Sequence, residues 1–194
     1  GPFGLGVLCV SASYAMVMGW SMASPFIVET VYHRPPTTTG SLALLMGLAW
    51  MCGGLVARAT IAHSLLSKHR AALVAMACCI VLLALTARLP ASWPSLEAMA
   101  AVAFCIHVAA GMVFNIHFAK VLSMFPQNAA LSGGLAGGLA FLLTAVFASA
   151  GVHLVNPQSA LGMAAVYGGL AMILVVAPLA MATRPAASAQ CAAP

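Results

Sequence analysis

His107 and Asn115 stand eight residues apart in an otherwise apolar run, with Gly111 between them. On an α-helix eight residues amount to about 80° of rotation, so both side chains reach toward one side. Histidine changes charge near neutral pH, and ionisable groups at membrane depth face protein or water rather than lipid. Two readings stay open for His107: a group that binds substrate or couples its movement to a proton, or a neutral ring satisfied inside the core. Asn115 offers a donor and an acceptor for a substrate. Glu29, one of only two acids in the chain, is a second coupling candidate, although an acid near the surface beside His33 and Arg34 needs no special role.

Ser11, Tyr14, Met18, Ser21 and Pro25 recur at intervals of three and four, which places them on one helical face. Tyr14, Met18, Ser21 and Met22 are the substrate-binding candidates of this stripe. Hydroxyls orient a moderately apolar organic molecule, and thioethers adapt to its shape. The competing reading is that Ser and Tyr only bond one helix to another. Met16, Met18, Met22, Met46 and Met51 also suggest a copper route, because Cu(I) prefers soft sulfur ligands; in an apolar protein such methionines more often fill space. The cysteines have no metal-ligand or disulfide spacing. Enzyme chemistry is not expected: the chain has no Asp, no HExxH and no Gly-x-Ser-x-Gly, and no loop large enough for a catalytic domain. No cofactor is called for.

The elements that must position these residues follow from composition. Only 5% of the 194 residues are charged and 63% are hydrophobic, against about a quarter charged in a soluble domain. The main solvent is therefore lipid. Seven scattered bases make no groove-tracking patch, which argues against nucleic acid as a partner. A membrane helix needs about 20 apolar residues, and six such stretches fall near residues 4–28, 40–62, 70–88, 97–122, 129–154 and 159–182. Proline-bearing breaks such as "HRPPTTTG" and "FPQN" separate them. The fold expected is an all-α, six-span bundle over 1–184, with 185–194 a disordered cytoplasmic tail. The opening Gly-Pro pair, without an initiator Met, reads as a processing scar or the cut end of a longer chain.

Charge then orients the bundle. Arg58, Lys68 and Arg70, with Lys120 and Arg184, fall on one side of the six spans, and Arg34 and Arg88 on the other. Lys and Arg accumulate on cytoplasmic loops, so both termini are expected in the cytoplasm of a multi-pass protein. The Arg58–Lys68–Arg70 cluster fixes topology and is also a candidate for gating contacts. Gly133, Gly134, Gly137 and Gly138 put small residues four apart on two adjacent strips of the fifth span. Such strips let helices approach closely in lipid, either as internal packing or as a surface that bends and rocks.

Three segments carry a resemblance. "GGLVAR" followed by "KHR", residues 53–58 and 68–70, resembles the short cytoplasmic loop motif in the C-terminal half of the major facilitator superfamily. "SMFPQNAALSGGLAGGLAFLL", residues 123–143, is similar to the start of helix eleven in bacterial drug/proton antiporters of the bicyclomycin and chloramphenicol resistance type. "SPFIVETVY", residues 24–32, looks like the end of their helix seven. Together they align the chain with helices seven to twelve. The resemblance implies one half of a transporter in the bacterial inner membrane that moves a drug, metabolite or siderophore-like molecule, with the first span contributing to a central cavity. A second six-helix bundle, either another copy or an N-terminal half, would complete it. A non-transporting accessory subunit is the alternative.

Overall fold

The computed structural model describes residues 1–90, 93–155 and 159–182. The expected disordered tail, 185–194, and Arg184 lie outside them. The described chain is helical, without strands: α1 (Pro2–Phe26), a π-helical turn (Ile27–Val31), α2 (Pro36–Ala59), α3 (Leu65–Thr86), α4 (Trp93–Leu122), a short 3-10 turn (Pro126–Asn128), α5 (Ala129–Val155) and α6 (Ala160–Ala182). Among these residues six helices are long and apolar enough to cross a membrane. Their apolar residues run around the whole circumference, as helices in lipid require, and Leu44, Val81, Leu142 and Met172 project outward in the open.

Several helices start earlier than the prolines suggest. α2 begins at Pro36 and not at 40, because proline is tolerated in the first turn, where its missing N–H would have had no partner anyway. α3 begins five residues before the expected start: the Ser64 side chain accepts the Ser67 N–H at 3.2 Å and caps it. Lys68 and Arg70 are therefore helical residues of the first turns of α3 and not loop residues. Pro25 sits inside α1 without ending it, and the helix widens into the π turn directly afterwards.

Packing follows a simple scheme. α1 and α4 meet at the centre. α1 also packs on α5 and α6, α4 on α2 and α3, and α3 meets α6 behind the central pair. Exchanging α1–α3 for α4–α6 turns the α1–α5 contact into α4–α2 and α1–α6 into α4–α3, while α1–α4 and α3–α6 map onto themselves. Each triplet has an odd number of helices, so the two run in opposite directions. The main core lies between α1, α4 and the α3/α6 layer, with Trp20, Ile106, Met163 and Leu174 fully buried.

Individual contacts fix the ends of the bundle. Phe3 meets Phe125 edge-on at 5.7 Å, and His69 at the start of α3 meets His117 near the end of α4. The start of α1 and the connections after α2 and α4 therefore share one end, which carries Arg58, Lys68, Arg70 and Lys120. Arg34, Arg88, Glu29 and Glu97 belong to the opposite end.

Candidate functional site

On the face away from α3 and α6, side chains of four helices converge. Tyr14 of α1 lies 5.8 Å from Trp50 of α2, 6.0 Å from Phe114 of α4 and 5.4 Å from Phe141 of α5, measured between ring centroids. Trp50 and Phe114 are 5.1 Å apart, and Phe118 stacks on Phe114 at 5.6 Å. Edge-on and offset rings at these separations attract one another beyond simple burial. A cavity of ≈ 220 Å³ opens between Tyr14, Phe114, Phe118, Gly137 and Phe141. Adjoining it through Tyr14 and Phe141, a groove of ≈ 340 Å³ runs between α1 and α5 past Met18, Met22, Thr144 and Ser149. An apolar lining with a few hydroxyls suits an organic molecule with scattered polar groups.

The structure thus brings Tyr14, Met18 and Met22 together as the spacing predicts. Ser21 is exposed and donates its hydroxyl to the Val17 carbonyl of its own helix at 3.0 Å. Ser11 is buried; its hydroxyl donates to the Val7 carbonyl of its own helix, and it is its main-chain carbonyl that accepts the Thr144 hydroxyl of α5 at 3.1 Å. Asn115 is exposed beside α2, where a methyl group on Gly54 would come within 3.3 Å of its Nδ2. That Nδ2 donates to the Gly111 carbonyl at 2.8 Å, which leaves Oδ1 as the acceptor it presents. Phe114 and Phe118, spaced four apart, were legible as a pair; Trp50 and Phe141 join them only through tertiary packing.

His107 does not share this groove. It is fully buried on the other side of α4, edge-on to Trp20 of α1 at 6.1 Å and to Tyr167 of α6 at 6.2 Å, and its Nδ1–H donates to the Ala103 carbonyl at 2.7 Å. The pairing of His107 with Asn115 on one working surface is therefore corrected: 80° of rotation suffices to put one in the core and the other at the α2 seam. Glu29 stands exposed on the π turn, apart from the groove and from His107. Of the candidate copper ligands, Met16 and Met46 are buried in the core and Met51 is exposed on α2, so only Met18 and Met22 share a groove.

His117 is buried near the end of α4 and bonded at 3.0 Å to His69, another buried ring. His69 Nε2 lies 3.0 Å from the Leu174 carbonyl. A carbonyl only accepts, so His69 Nε2 carries the proton; its bare Nδ1 then accepts from His117 Nε2–H. The two rings tie α4 through α3 to α6. The basic cluster around them stays outside, with Arg58 and Arg70 exposed and Lys68 half-buried.

The glycines exchange roles. Beyond its own stretch of helix, a methyl group on Gly134, Gly137 or Gly138 would meet no atom within 4 Å among the described residues, and one on Gly133 would meet only the Leu122 side chain at 3.2 Å. Gly134, Gly137 and Gly138 line grooves on α5 instead of a tight helix contact. Close packing occurs where α2 crosses α4: a methyl on Gly53 would collide with the Val108 carbonyl and come 2.7 Å from the Met112 nitrogen, and one on Gly111 would come 2.7 Å from the Trp50 carbonyl oxygen.

No family model, curated protein or solved structure matches the chain.

Proposed function

We propose that this chain is one six-helix half of a major facilitator-type secondary transporter, which binds a small, moderately apolar organic molecule against the α1/α2/α4/α5 face. The observation that carries the reading is the two-fold scheme of helix contacts, in which α1–α3 and α4–α6 exchange in opposite directions. Inverted three-helix repeats of this kind are nested within each half of such transporters, with the substrate held near the midplane between the two halves. The face that presents Tyr14, Trp50, Phe114 and Phe141 lies along the four helices of the scheme away from α3 and α6.

In this reading a second six-helix bundle covers that face, and rocking of one bundle against the other opens the groove to each side in turn. Tyr14 stacks on the substrate and offers a hydroxyl, Met18 and Met22 adapt to its shape, and Asn115 Oδ1 accepts one hydrogen bond. The end bearing Arg58, Lys68, Arg70 and Lys120 faces the cytoplasm. No bond is made or broken; the work is selective binding and exposure.

Flux of lipophilic cationic and neutral dyes into vesicles containing the purified chain tests the proposal. The expected result is saturable uptake, reduced about tenfold by Tyr14→Ala, the loss expected for one aromatic contact worth about 1–1.5 kcal/mol. Flux equal to that of empty vesicles for every dye would favour the accessory-subunit alternative.

A further inference from the structure

Trp20 Nε1, His107 Nε2 and Tyr167 Oη are buried and have no hydrogen-bond partner among the described residues. They come from three helices, α1, α4 and α6, and gather around a single ring: the indole and the phenol both stand edge-on to the imidazole, at 6.1 and 6.2 Å. All three residues are at most 1% exposed. A buried polar atom left unpaired is costly, and three carried by side chains packed on one ring invite one shared explanation.

Their chemistry restricts what can satisfy them. His107 Nδ1 faces a carbonyl at 2.7 Å and must donate to it, so in the neutral ring Nε2 is a bare acceptor. The Trp20 indole N–H only donates. The Tyr167 hydroxyl does either. A metal or other bare cation needs acceptors alone and is repelled by the indole N–H. An anion needs donors alone and is repelled by the Nε2 lone pair. What fits is a small neutral molecule that both donates and accepts. We infer that the α1/α4/α6 core holds one structural water, which accepts from Trp20, donates to His107 Nε2 and completes a third bond with Tyr167. Three bonds to otherwise unsatisfied groups is the usual complement of a buried water.

The site differs in kind from the groove on the opposite side of α1 and α4. With the Ala103 carbonyl holding His107 as the Nδ1–H tautomer, the water makes the ring part of the mortar between three helices, reached by neither substrate nor bulk solvent. It also accounts for three polar side chains placed deep in an apolar bundle by one device.

The test is solid-state NMR of the full chain in lipid vesicles, with ¹⁵N-labelled histidine and tryptophan. The Trp20 indole signal is assigned by its loss in Trp20→Phe. The expected result is a water cross-peak to the Trp20 indole proton at short mixing time, together with a His107 spectrum of a neutral Nδ1–H ring. In Tyr167→Phe, which keeps the ring and removes one bond, the water cross-peak should persist and exchange faster. In His107→Phe it should disappear. A Trp20 indole proton without a water cross-peak, or one correlated directly to His107 or Tyr167, overturns the inference. So does a His107 ring protonated at Nε2. Because Tyr167→Phe preserves packing, a failure of His107→Phe to fold leaves the test intact.

Discussion

At the scale of single residues, the buried histidines separate into two kinds of duty. His69 and His117 satisfy each other across α3 and α4 and hand the remaining proton to the Leu174 carbonyl. Removing one ring strands its partner, whereas removing both strands only a carbonyl. His69→Phe and His117→Phe should therefore each destabilise the protein by about 1–3 kcal/mol, and the double variant by less than their sum. The double-mutant cycle in detergent unfolding should return a coupling of about 0.6–2 kcal/mol, the span measured for polar pairs between membrane helices. Strict additivity would mean that the two rings do not share a proton in the membrane. Tyr14 belongs to the same scale: it touches aromatic residues of three other helices, so Tyr14→Phe should keep most of the packing and lose only the hydroxyl's contribution to ligand selectivity.

At the scale of helices, the α2–α4 crossing depends on the absence of two side chains. Gly111→Leu would force side-chain atoms against the Trp50 backbone, and overpacking of this kind costs about 1–3 kcal/mol or more; the expected readout is a lowered Tm with membrane insertion intact. Gly134→Ala is the contrasting case. It meets open space within the chain and removes a flexible residue from mid-helix, so the bundle itself should be unchanged or gain up to about 1 kcal/mol. If the α5 groove is where a second bundle seats, the same substitution weakens that association, which separates the two effects. The helices themselves were legible: apolar length located all six spans, and the larger errors fell at starts where proline or Ser64 initiates a helix, with α2 and α3 also ending two to three residues before the expected 62 and 88. The Tyr14–Met18–Met22 stripe was legible because three- and four-residue spacing is a property of one helix. The roles of Gly53 against Gly111, of His69 beside His117, and of Trp20 around His107 were not. Each depends on which helix lies opposite, and that is set by tertiary packing alone. Of the two readings of the α5 glycines, tight internal packing fails at Gly134, Gly137 and Gly138 for the same reason, since a small-residue strip says that a helix can be approached and not that it is.

At the scale of the whole molecule, the basic residues divide unequally between the two ends of the bundle. Arg58, Lys68, Arg70 and Lys120 share one end of the bundle, and the orientation proposed places that end in the cytoplasm. In a background with the native cysteines replaced, His63→Cys should react with an impermeant reagent only in inverted vesicles and Thr37→Cys only in intact cells; the reverse pattern would invert the topology. The larger claim concerns the two broad faces. α3 presents lipid-like side chains such as Val81, whereas the α1/α2/α4/α5 face presents rings and thioethers around open grooves, with Asn115 exposed at the α2 seam. The measurement that tests this most directly is the reactivity of single cysteines with a water-soluble thiol reagent in native membranes, comparing Met18→Cys and Asn115→Cys with Val81→Cys. A water-lined transport face predicts fast modification at positions 18 and 115 and almost none at 81. Equal protection at all three positions would mean that lipid or tightly packed protein covers the grooves, and would contradict the account.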